Sequence, residues 1–317
     1  MSKTMEQSTA GEQRLGHMLA IGTIIVWGLT FVSSTVILTY LSPVELLILR
    51  IVIGVVALTA IRPKRMRLKK RSHELYFMGA GFFAVTMYFL LENSALTFTS
   101  SSNCAVIVSS APFFIAIFAS VFLKEEKLTP LFFVGFVLAI VGLGMVSFAG
   151  QQLKLNPLGD LLSLLTAISW GIATMFMRKI ERHGYPVILV TRKLFVYGIL
   201  FAIPTLFFMP RKGAWADLLR PEVWMNVLFL GVIASAVCYI TWMVGMKRIG
   251  VVRSGTYIYL IPIITMLGAA VLIQETITFL QIGGALLTMA GLFLSQWHKK
   301  KPKKPLEHIE ETTMHAG

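Results

Sequence analysis

The feature that most constrains this chain is a series of long apolar runs in which charged residues are almost absent. A helix needs about 20 apolar residues to cross roughly 30 Å of hydrocarbon, and it satisfies its own backbone hydrogen bonds there. Of the 317 residues, 56% are hydrophobic and 14% are charged, whereas soluble domains carry about 25% charged residues. We therefore predict an all-α polytopic membrane protein.

Ten of the apolar runs have the length of a transmembrane helix. We predict spans at His17–Ile37, Pro43–Ile61, Leu75–Leu91, Asn103–Leu123, Pro130–Ala149, Leu158–Met177, Val187–Phe208, Val223–Met246, Thr256–Ile273 and Phe279–Trp297. The connections are short except for the basic loop Arg62–Arg71 and the segment Pro210–Glu222.

The basic residues predict the direction of these spans. If both termini are cytoplasmic, the cytoplasmic segments hold 22 Lys and Arg residues, the outer segments hold four, and three lie within spans. Cytoplasmic loops of membrane proteins carry such an excess. The net charge of +14 is thereby explained by topology, and we expect no nucleic-acid partner. The basic run Trp297–Lys304 is interpreted first as a topology anchor, with contact to anionic membrane lipids as the alternative.

The two halves of the sequence repeat each other. The motif VWGLTF around Trp27 recurs as SWGIATMF around Trp170, and SSAPFF with Pro112 recurs as LIPIIT with Pro262. Each half contains five predicted spans, and an odd number of spans reverses the orientation of the second copy. Inverted repeats are common in secondary transporters, because two similar halves facing opposite ways can form a cavity that opens to either side.

The repeat divides the chain into four parts. We expect a cytoplasmic N-tail at residues 1–16, a first five-helix repeat at 17–150, a second five-helix repeat at 151–297, and a basic cytoplasmic C-tail at 298–317. The expected fold is thus ten transmembrane helices in two inverted repeats.

This twice-repeated order of motifs resembles the drug/metabolite transporter superfamily, in its EamA-like branch. The resemblance covers residues 15–297. It rests on the WG in the first span of each half, the spacing P-x6-R/K in the second, and a Ser/Thr-rich approach to Pro112 in ALTFTSSSNCAVIVSSAPFF. It implies a ten-helix inverted-repeat fold with a central substrate cavity, and export or exchange of small metabolites, amino acids or drugs.

We expect a secondary transporter that works by alternating access in the cell (plasma) membrane, specifically a bacterial inner membrane, and that exports amino acids or related metabolites. Efflux of drugs or toxic compounds and metabolite uptake stay open as alternatives. More distant alternatives are a membrane-embedded lipid enzyme and a non-transporting receptor. The sequence contains no GxxxxGK[ST], HExxH or GxSxG motif, so we expect no enzyme, cofactor or metal site.

Polar and aromatic residues within the predicted spans indicate where a small-molecule substrate would bind, because polar groups are costly in hydrocarbon. Two stripes at helical spacing combine an indole with hydroxyl groups, one in the first span and one in the sixth. Packing between helices is the alternative for both stripes. The residues that we expect to line a substrate cavity are Trp27, Thr30, Ser34, Arg50, Tyr88, Glu92, Asn103, Trp170, Thr174, Lys193, Tyr239 and Trp242.

Three basic residues within predicted spans have two interpretations. Arg50, Arg192 and Lys193 either attract an anionic group such as a substrate carboxylate or extend to the lipid headgroups. The first span contains no Asp or Glu, which disfavours proton-coupled expulsion of lipophilic cations, although Glu92 remains a candidate for that chemistry.

Proline and glycine positions are also repeated between the halves. Pro112 and Pro262 interrupt corresponding spans, and we expect them to act as gating hinges instead of simple kinks. Four glycines of the fifth and tenth spans, spaced by seven, predict a close helix contact or the seam of a homodimer. They are Gly135, Gly142, Gly284 and Gly291.

Overall fold

The computed structural model describes residues 10–123, 129–148, 157–208, 212–213, 215–249 and 254–296. Within these residues all regular secondary structure is helical, as the apolar runs predict. The expected C-tail at 298–317, most of the N-tail at 1–16 and the end of the tenth predicted span at Trp297 lie outside the described residues.

The helices of the described residues form ten segments. They are α1 (Gly11–Leu38), α2 (Pro43–Ile61), α3 (Arg71–Ala95), α4 (Ser101–Phe122), α5 (Pro130–Val146), α6 (Pro157–Arg182), α7 (Val187–Phe207), α8 (Pro221–Ile249), α9 (Tyr257–Leu272) and α10 (Phe279–Ser295). Seven of these, α1 to α4 and α6 to α8, are long and apolar enough to cross a membrane, whereas α5, α9 and α10 are apolar but shorter.

Local sequence signals explain several helix ends. The Ser42 side chain accepts a hydrogen bond from the Glu45 backbone N–H, while the Glu45 carboxylate accepts one from the Ser42 N–H, so α2 begins with a capping box and with Pro43 in its first turn. Ser100 caps α4 in the same way, by accepting from the Asn103 N–H. Helix α6 ends in a turn at Gly184, whose φ is +65°.

Four helices depart from regular α geometry at corresponding places in the two halves. The third helix of each half contains a π-helical stretch, Phe82–Met87 in α3 and Phe229–Val237 in α8. The fourth helix of each half is irregular just before a proline. In α4 a turn at residues 109–110 precedes Ala111–Phe118, and in α9 the 3₁₀ stretch Thr256–Leu260 precedes Ile261–Leu272, with Pro112 and Pro262 in the first turn of the α-helix that follows. Irregular turns of this kind often occur at functional sites.

The packing of the helices is reciprocal between the halves. Helix α1 packs against α8 and α9, and its counterpart α6 packs against α3 and α4. Helix α2 packs against α7 and α8, while α7 packs against α2 and α3. Helices α4 and α9 contact each other, as do α5 and α10. Helices of one half therefore pack against helices of the other half, and the core lies between the two halves.

The α5–α10 contact depends on the four repeated glycines. A Cβ atom added at Gly142 would lie 2.5 Å from the carbonyl oxygen of Gly284, and one added at Gly291 would lie 2.5 Å from that of Gly135. Only glycine permits the two backbones to approach so closely. Of the two interpretations, the structure shows the close helix contact within one chain, and a homodimer remains a prediction.

Candidate binding cavity

A cavity with a water-accessible volume of about 50 Å³ lies between the two halves of the molecule. Aromatic and aliphatic side chains form most of its wall, and a few polar groups are set among them. Seven of the residues expected from the sequence line this cavity: Trp27, Thr30, Arg50, Tyr88, Glu92, Trp170 and Tyr239. Pockets with a mainly apolar and aromatic wall and a few polar groups bind small molecules in other proteins.

A second cavity, with a water-accessible volume of about 140 Å³, adjoins the first, and Trp170 and Ile258 line both. Two more of the expected residues, Thr174 and Trp242, line the second cavity. It lies toward the ends of α6 and α8, and its wall includes Tyr185, whose hydroxyl accepts a hydrogen bond from the backbone N–H of Lys69 in the basic loop. The second cavity is therefore on the side of the molecule that carries the basic loop.

Five aromatic rings from both halves meet at the junction of the cavities. Trp27 of the first half and Trp170 of the second have ring centroids 6.0 Å apart and nearly perpendicular planes. Trp27 also contacts Trp242 at 5.2 Å and Tyr239 at 5.8 Å, and Trp170 contacts Tyr88 at 5.3 Å. These distances and the mostly edge-to-face geometry are favourable for aromatic pairs.

The π-helical stretches accept hydrogen bonds from the residues around this cluster. The indole N–H of Trp27 donates to the carbonyl of Ala234 in α8 at 3.1 Å. Ser169, which precedes Trp170, donates from its hydroxyl to the carbonyl of Phe83 in α3 at 2.7 Å. In each case the first helix of one half binds the widened turn of the other half, so the irregular turns help to orient the aromatic wall.

Arg50 and Glu92 form a buried ion pair in the wall of the first cavity. Arg50 Nη1 lies 3.9 Å from Glu92 Oε2, and the two side chains are only 2% and 3% exposed. Arg50 Nε donates to the Ser235 hydroxyl at 3.2 Å, and the guanidinium stacks over the ring of Phe89 at 3.9 Å. The Tyr88 hydroxyl donates to Glu92 Oε1 at 3.5 Å.

The structure places the other three expected residues away from both cavities. Lys193 forms an ion pair with Glu74 of α3, with Nζ 2.7 Å from Oε1, because this face of α7 packs against α3. The Asn103 side chain accepts a hydrogen bond from Gln281 of α10 at 2.9 Å. Ser34 is buried at 1% exposure without lining either cavity.

Arg192, the neighbour of Lys193, donates hydrogen bonds to the carbonyls of Arg62 and Lys64. It thereby holds the beginning of the basic loop against α7. Neither Arg192 nor Lys193 touches the cavities, so Arg50 is the in-span basic residue that the structure brings to the candidate site.

Sequence reasoning missed Phe89 and Ser235, which hold the guanidinium of Arg50. Both have a signal in the helical spacing. Ser235 precedes Tyr239 by four residues and Trp242 by seven, so the aromatic stripe of α8 extends back to it. Phe89 lies three residues before Glu92 and so shares its face of α3.

The two repeated prolines flank the first cavity. Ser109 and Ala111, just before Pro112, line it from α4, and Ile258 and Ile261, just before Pro262, line it from α9. Their role as hinges remains a prediction. Within the described residues, no three His, Cys, Asp or Glu side chains come together in a way that could hold a metal ion.

Several apolar helices long enough to span a bilayer, packed around an aromatic cavity with a buried ion pair, define a multi-pass membrane protein of the transporter class. The chain belongs to the EamA-like transporter family, whose model matches it twice, at residues 14–148 and 157–297.

Curated relatives cover almost the whole chain and have transporter names. A probable amino-acid metabolite efflux pump of Salmonella typhimurium is 28% identical and covers 89% of this chain and 95% of its own. Another of the same name, from Escherichia coli, is 28% identical over 90% of this chain and 97% of its own. An uncharacterized transporter of Archaeoglobus fulgidus is 24% identical over 86% and 95%.

A solved crystal structure has the same fold. It is 19% identical in sequence, covers 88% of this chain and 97% of its own, and superposes with a TM-score of 0.63. At this level of identity the likeness concerns the fold alone.

Proposed function

We propose that this protein is a secondary transporter that exports amino acids or related metabolites by alternating access. In this proposal the ten helices span a bacterial inner membrane as two five-helix inverted repeats, residues 17–150 and 151–297, with both termini in the cytoplasm. The substrate binds in the cavity between the halves.

The observation that carries the proposal is the meeting of Trp27 and Trp170. These residues occupy the same place in the repeated motif, and their rings lie 6.0 Å apart in the wall shared by the two halves. A binding site on the pseudo-two-fold axis of two inverted halves can be reached from either side by equivalent rearrangements. That property is what a carrier requires and what a receptor does not need.

The positions of the cavities support an opening toward the cytoplasm. The larger cavity lies on the side of the basic loop, which the distribution of positive charge assigns to the cytoplasm. Hydrogen bonds join helix ends on the opposite side. Ser101 donates to Glu275 at 2.6 Å, and the Asn93 side chain donates to the Pro43 carbonyl at 3.0 Å. A carrier in this state would accept substrate from the cytoplasm, as export requires.

The names of the relatives and the chemistry of the site both support an amino-acid-like substrate. Two relatives are named probable amino-acid metabolite efflux pumps. The wall of the cavity in this chain combines a cationic and an anionic side chain, Arg50 and Glu92, with indole and phenol rings. Efflux of planar apolar drugs is the second candidate, because the same aromatic rings would stack on such compounds.

Metabolite profiling tests the proposal without assuming a substrate. Medium and cytosol would be compared for cells expressing wild type, Trp170→Ala, or Trp224→Ala at matched levels. Trp224 is 46% exposed on α8 and lines neither cavity, so its variant is the matched control. We expect amino acids or close derivatives to rise in the medium with wild type and Trp224→Ala only. Equal profiles for wild type, both variants and empty cells would refute export of these metabolites.

A further inference from the structure

We propose that Arg50 and Glu92 form a substrate-replaceable ion pair that recognises a zwitterion, with Arg50 binding its carboxylate and Glu92 its ammonium group. The pair would close again when the cavity is empty. This inference rests on the proposed function. It adds that the substrate is a zwitterion and names the two residues that recognise its charged groups.

The pair is incomplete in a way that favours replacement. Arg50 Nη1 and Glu92 Oε2 point toward each other at 3.9 Å, beyond hydrogen-bond distance, and neither atom has a hydrogen-bond partner among the described residues. Burying two charges is costly unless short hydrogen bonds compensate for the lost water. A ligand that supplies a carboxylate to one group and an ammonium to the other would provide those bonds.

The remaining contacts keep each charge in place while the pair opens. Ser235 holds Arg50 through Nε and Phe89 supports the flat face of the guanidinium, while Nη1 on the Glu92 side has no hydrogen-bond partner among the described residues. Glu92 has its other oxygen, Oε1, toward the Tyr88 hydroxyl. Both Arg50 and Glu92 line the first cavity, so a small molecule bound there is within reach of both.

Charge balance selects the class of ligand. A carboxylate without an amine would satisfy Arg50 and leave Glu92 buried and uncompensated, and an amine without a carboxylate would do the reverse. A zwitterion compensates both groups. The indoles of Trp27 and Trp170 form the adjacent wall, which suits a large apolar or aromatic side chain. The site therefore fits a zwitterionic amino acid of the phenylalanine type.

The same balance has a consequence for energetics. The closed pair and the pair with a bound zwitterion both have zero net charge, so the loaded and the empty carrier move no charge when they reorient. The zwitterion and the ion pair themselves would then contribute no charge movement to the transport cycle.

The test is ligand-induced thermal stabilisation of the purified full-length protein with three probes: phenylalanine, 3-phenylpropionate and phenethylamine. The last two lack the ammonium and the carboxylate, respectively. Wild type is expected to bind phenylalanine more tightly than either analogue by about tenfold or more, because each analogue leaves one buried charge unpaired. Glu92→Gln should invert the preference toward 3-phenylpropionate, and Arg50→Gln should invert it toward phenethylamine.

Two further variants keep the test decisive if the single variants fold poorly. The double variant Arg50→Gln/Glu92→Gln removes both charges, so it leaves no uncompensated charge, and it should bind phenylalanine about tenfold more weakly than wild type. Glu74→Gln breaks the peripheral ion pair with Lys193 and should bind all three probes as wild type does.

The failures of the two proposals differ. If wild type binds and transports phenylalanine while the double variant binds it as tightly, the ion-pair proposal is wrong and the transporter proposal stands. If wild type exports amino acids but is stabilised equally by the three probes, the zwitterion proposal is again wrong. If wild type neither binds nor moves any amino acid, both proposals fail together.

Discussion

An arginine near the middle of a transmembrane helix costs about 2.5–3.5 kcal/mol on insertion scales, so each one needs a partner. Arg50 is 2% exposed, and the structure supplies it with Glu92, Ser235 and the ring of Phe89. The sequence predicted Arg50 and Glu92 as separate site residues. It could not predict that they pair, because no helical spacing relates residues on different helices.

Lys193 shows the limit of transferring a role by repeat position. It matches Arg50 in the P-x6-R/K spacing, and like Arg50 it was expected in the cavity as a basic residue within a predicted span. The structure gives it a local partner instead, Glu74 on α3, at 2.7 Å. Arg50 instead contacts the Ser235 hydroxyl on α8, the helix that corresponds to α3, so the matched basic residues have different surroundings.

The indole N–H of Trp27 gives a prediction at the scale of one atom. Trp27→Phe keeps a ring in the cluster but removes the donor to the Ala234 carbonyl, so thermal stability in detergent should fall by the equivalent of about 1 kcal/mol. Trp170→Phe is the matched control, because the indole N–H of Trp170 makes no hydrogen bond among the described residues. Fluorescence-detected size-exclusion after heating measures both. Equal melting temperatures for the two variants would contradict the role of this hydrogen bond.

Helices were the elements that the sequence predicted best. Each predicted span overlaps one helical segment of the described residues, and seven of these segments are long and apolar enough to cross a membrane. The ends differ where charged residues continue the helix beyond the apolar run. Helix α6 continues to Arg182, and α3 begins at Arg71 instead of Leu75. Hydropathy reports the apolar part of a helix, whereas backbone hydrogen bonding continues to the nearest cap or turn.

The π-helical stretches in α3 and α8 were not predicted. A proline predicts an irregular turn in a helix, and both Pro112 and Pro262 follow one. The π-helical segments FFAVTM and FLGVIASAV, in contrast, contain no residue that distinguishes a π turn from an α turn. These stretches accept the hydrogen bonds of Trp27 and Ser169, so part of the site depends on backbone geometry that side-chain patterns do not show.

The glycine contact between α5 and α10 gives a prediction at the scale of the element. Gly142→Ala should destabilise the protein by about 1–3 kcal/mol, because the new Cβ would lie 2.5 Å from the Gly284 carbonyl and force the helices apart. Gly144→Ala, two residues away on the same helix, meets nothing within 4 Å and is the control. Thermal unfolding in detergent measures both. A Gly142→Ala variant as stable as Gly144→Ala would contradict the close contact.

At the scale of the whole molecule, the repeat in the sequence corresponds to reciprocal packing of the two halves. Helix α1 inserts between helices of the second half, and α6 inserts between helices of the first. The sequence indicated the repeat through matched motifs, but which helices would meet required the structure. Because each first helix supplies one tryptophan to the central cluster, a rearrangement of one half against the other changes the cavity directly.

Nine of the twelve residues expected in the cavity line one of the two adjoining cavities. They were found because indoles, phenols and charges in apolar runs are costly in lipid and turn inward. Ser34, Asn103 and Lys193 were assigned by the same reasoning, yet Asn103 and Lys193 pair with neighbouring helices, and Ser34 is buried without lining either cavity. Polarity in a span thus predicts an inward direction more reliably than it predicts a place in the wall of a cavity.

The central claim is that the cavity between the halves carries substrate across the membrane by alternating access. Counterflow in proteoliposomes tests it directly, because a carrier loaded with unlabelled amino acids inside exchanges them for labelled amino acids outside. Purified wild type and Trp224→Ala should accumulate label transiently above the external concentration, and Trp170→Ala should not. Absence of counterflow with wild type for every amino acid in a labelled mixture, or equal counterflow with Trp170→Ala, would contradict the account.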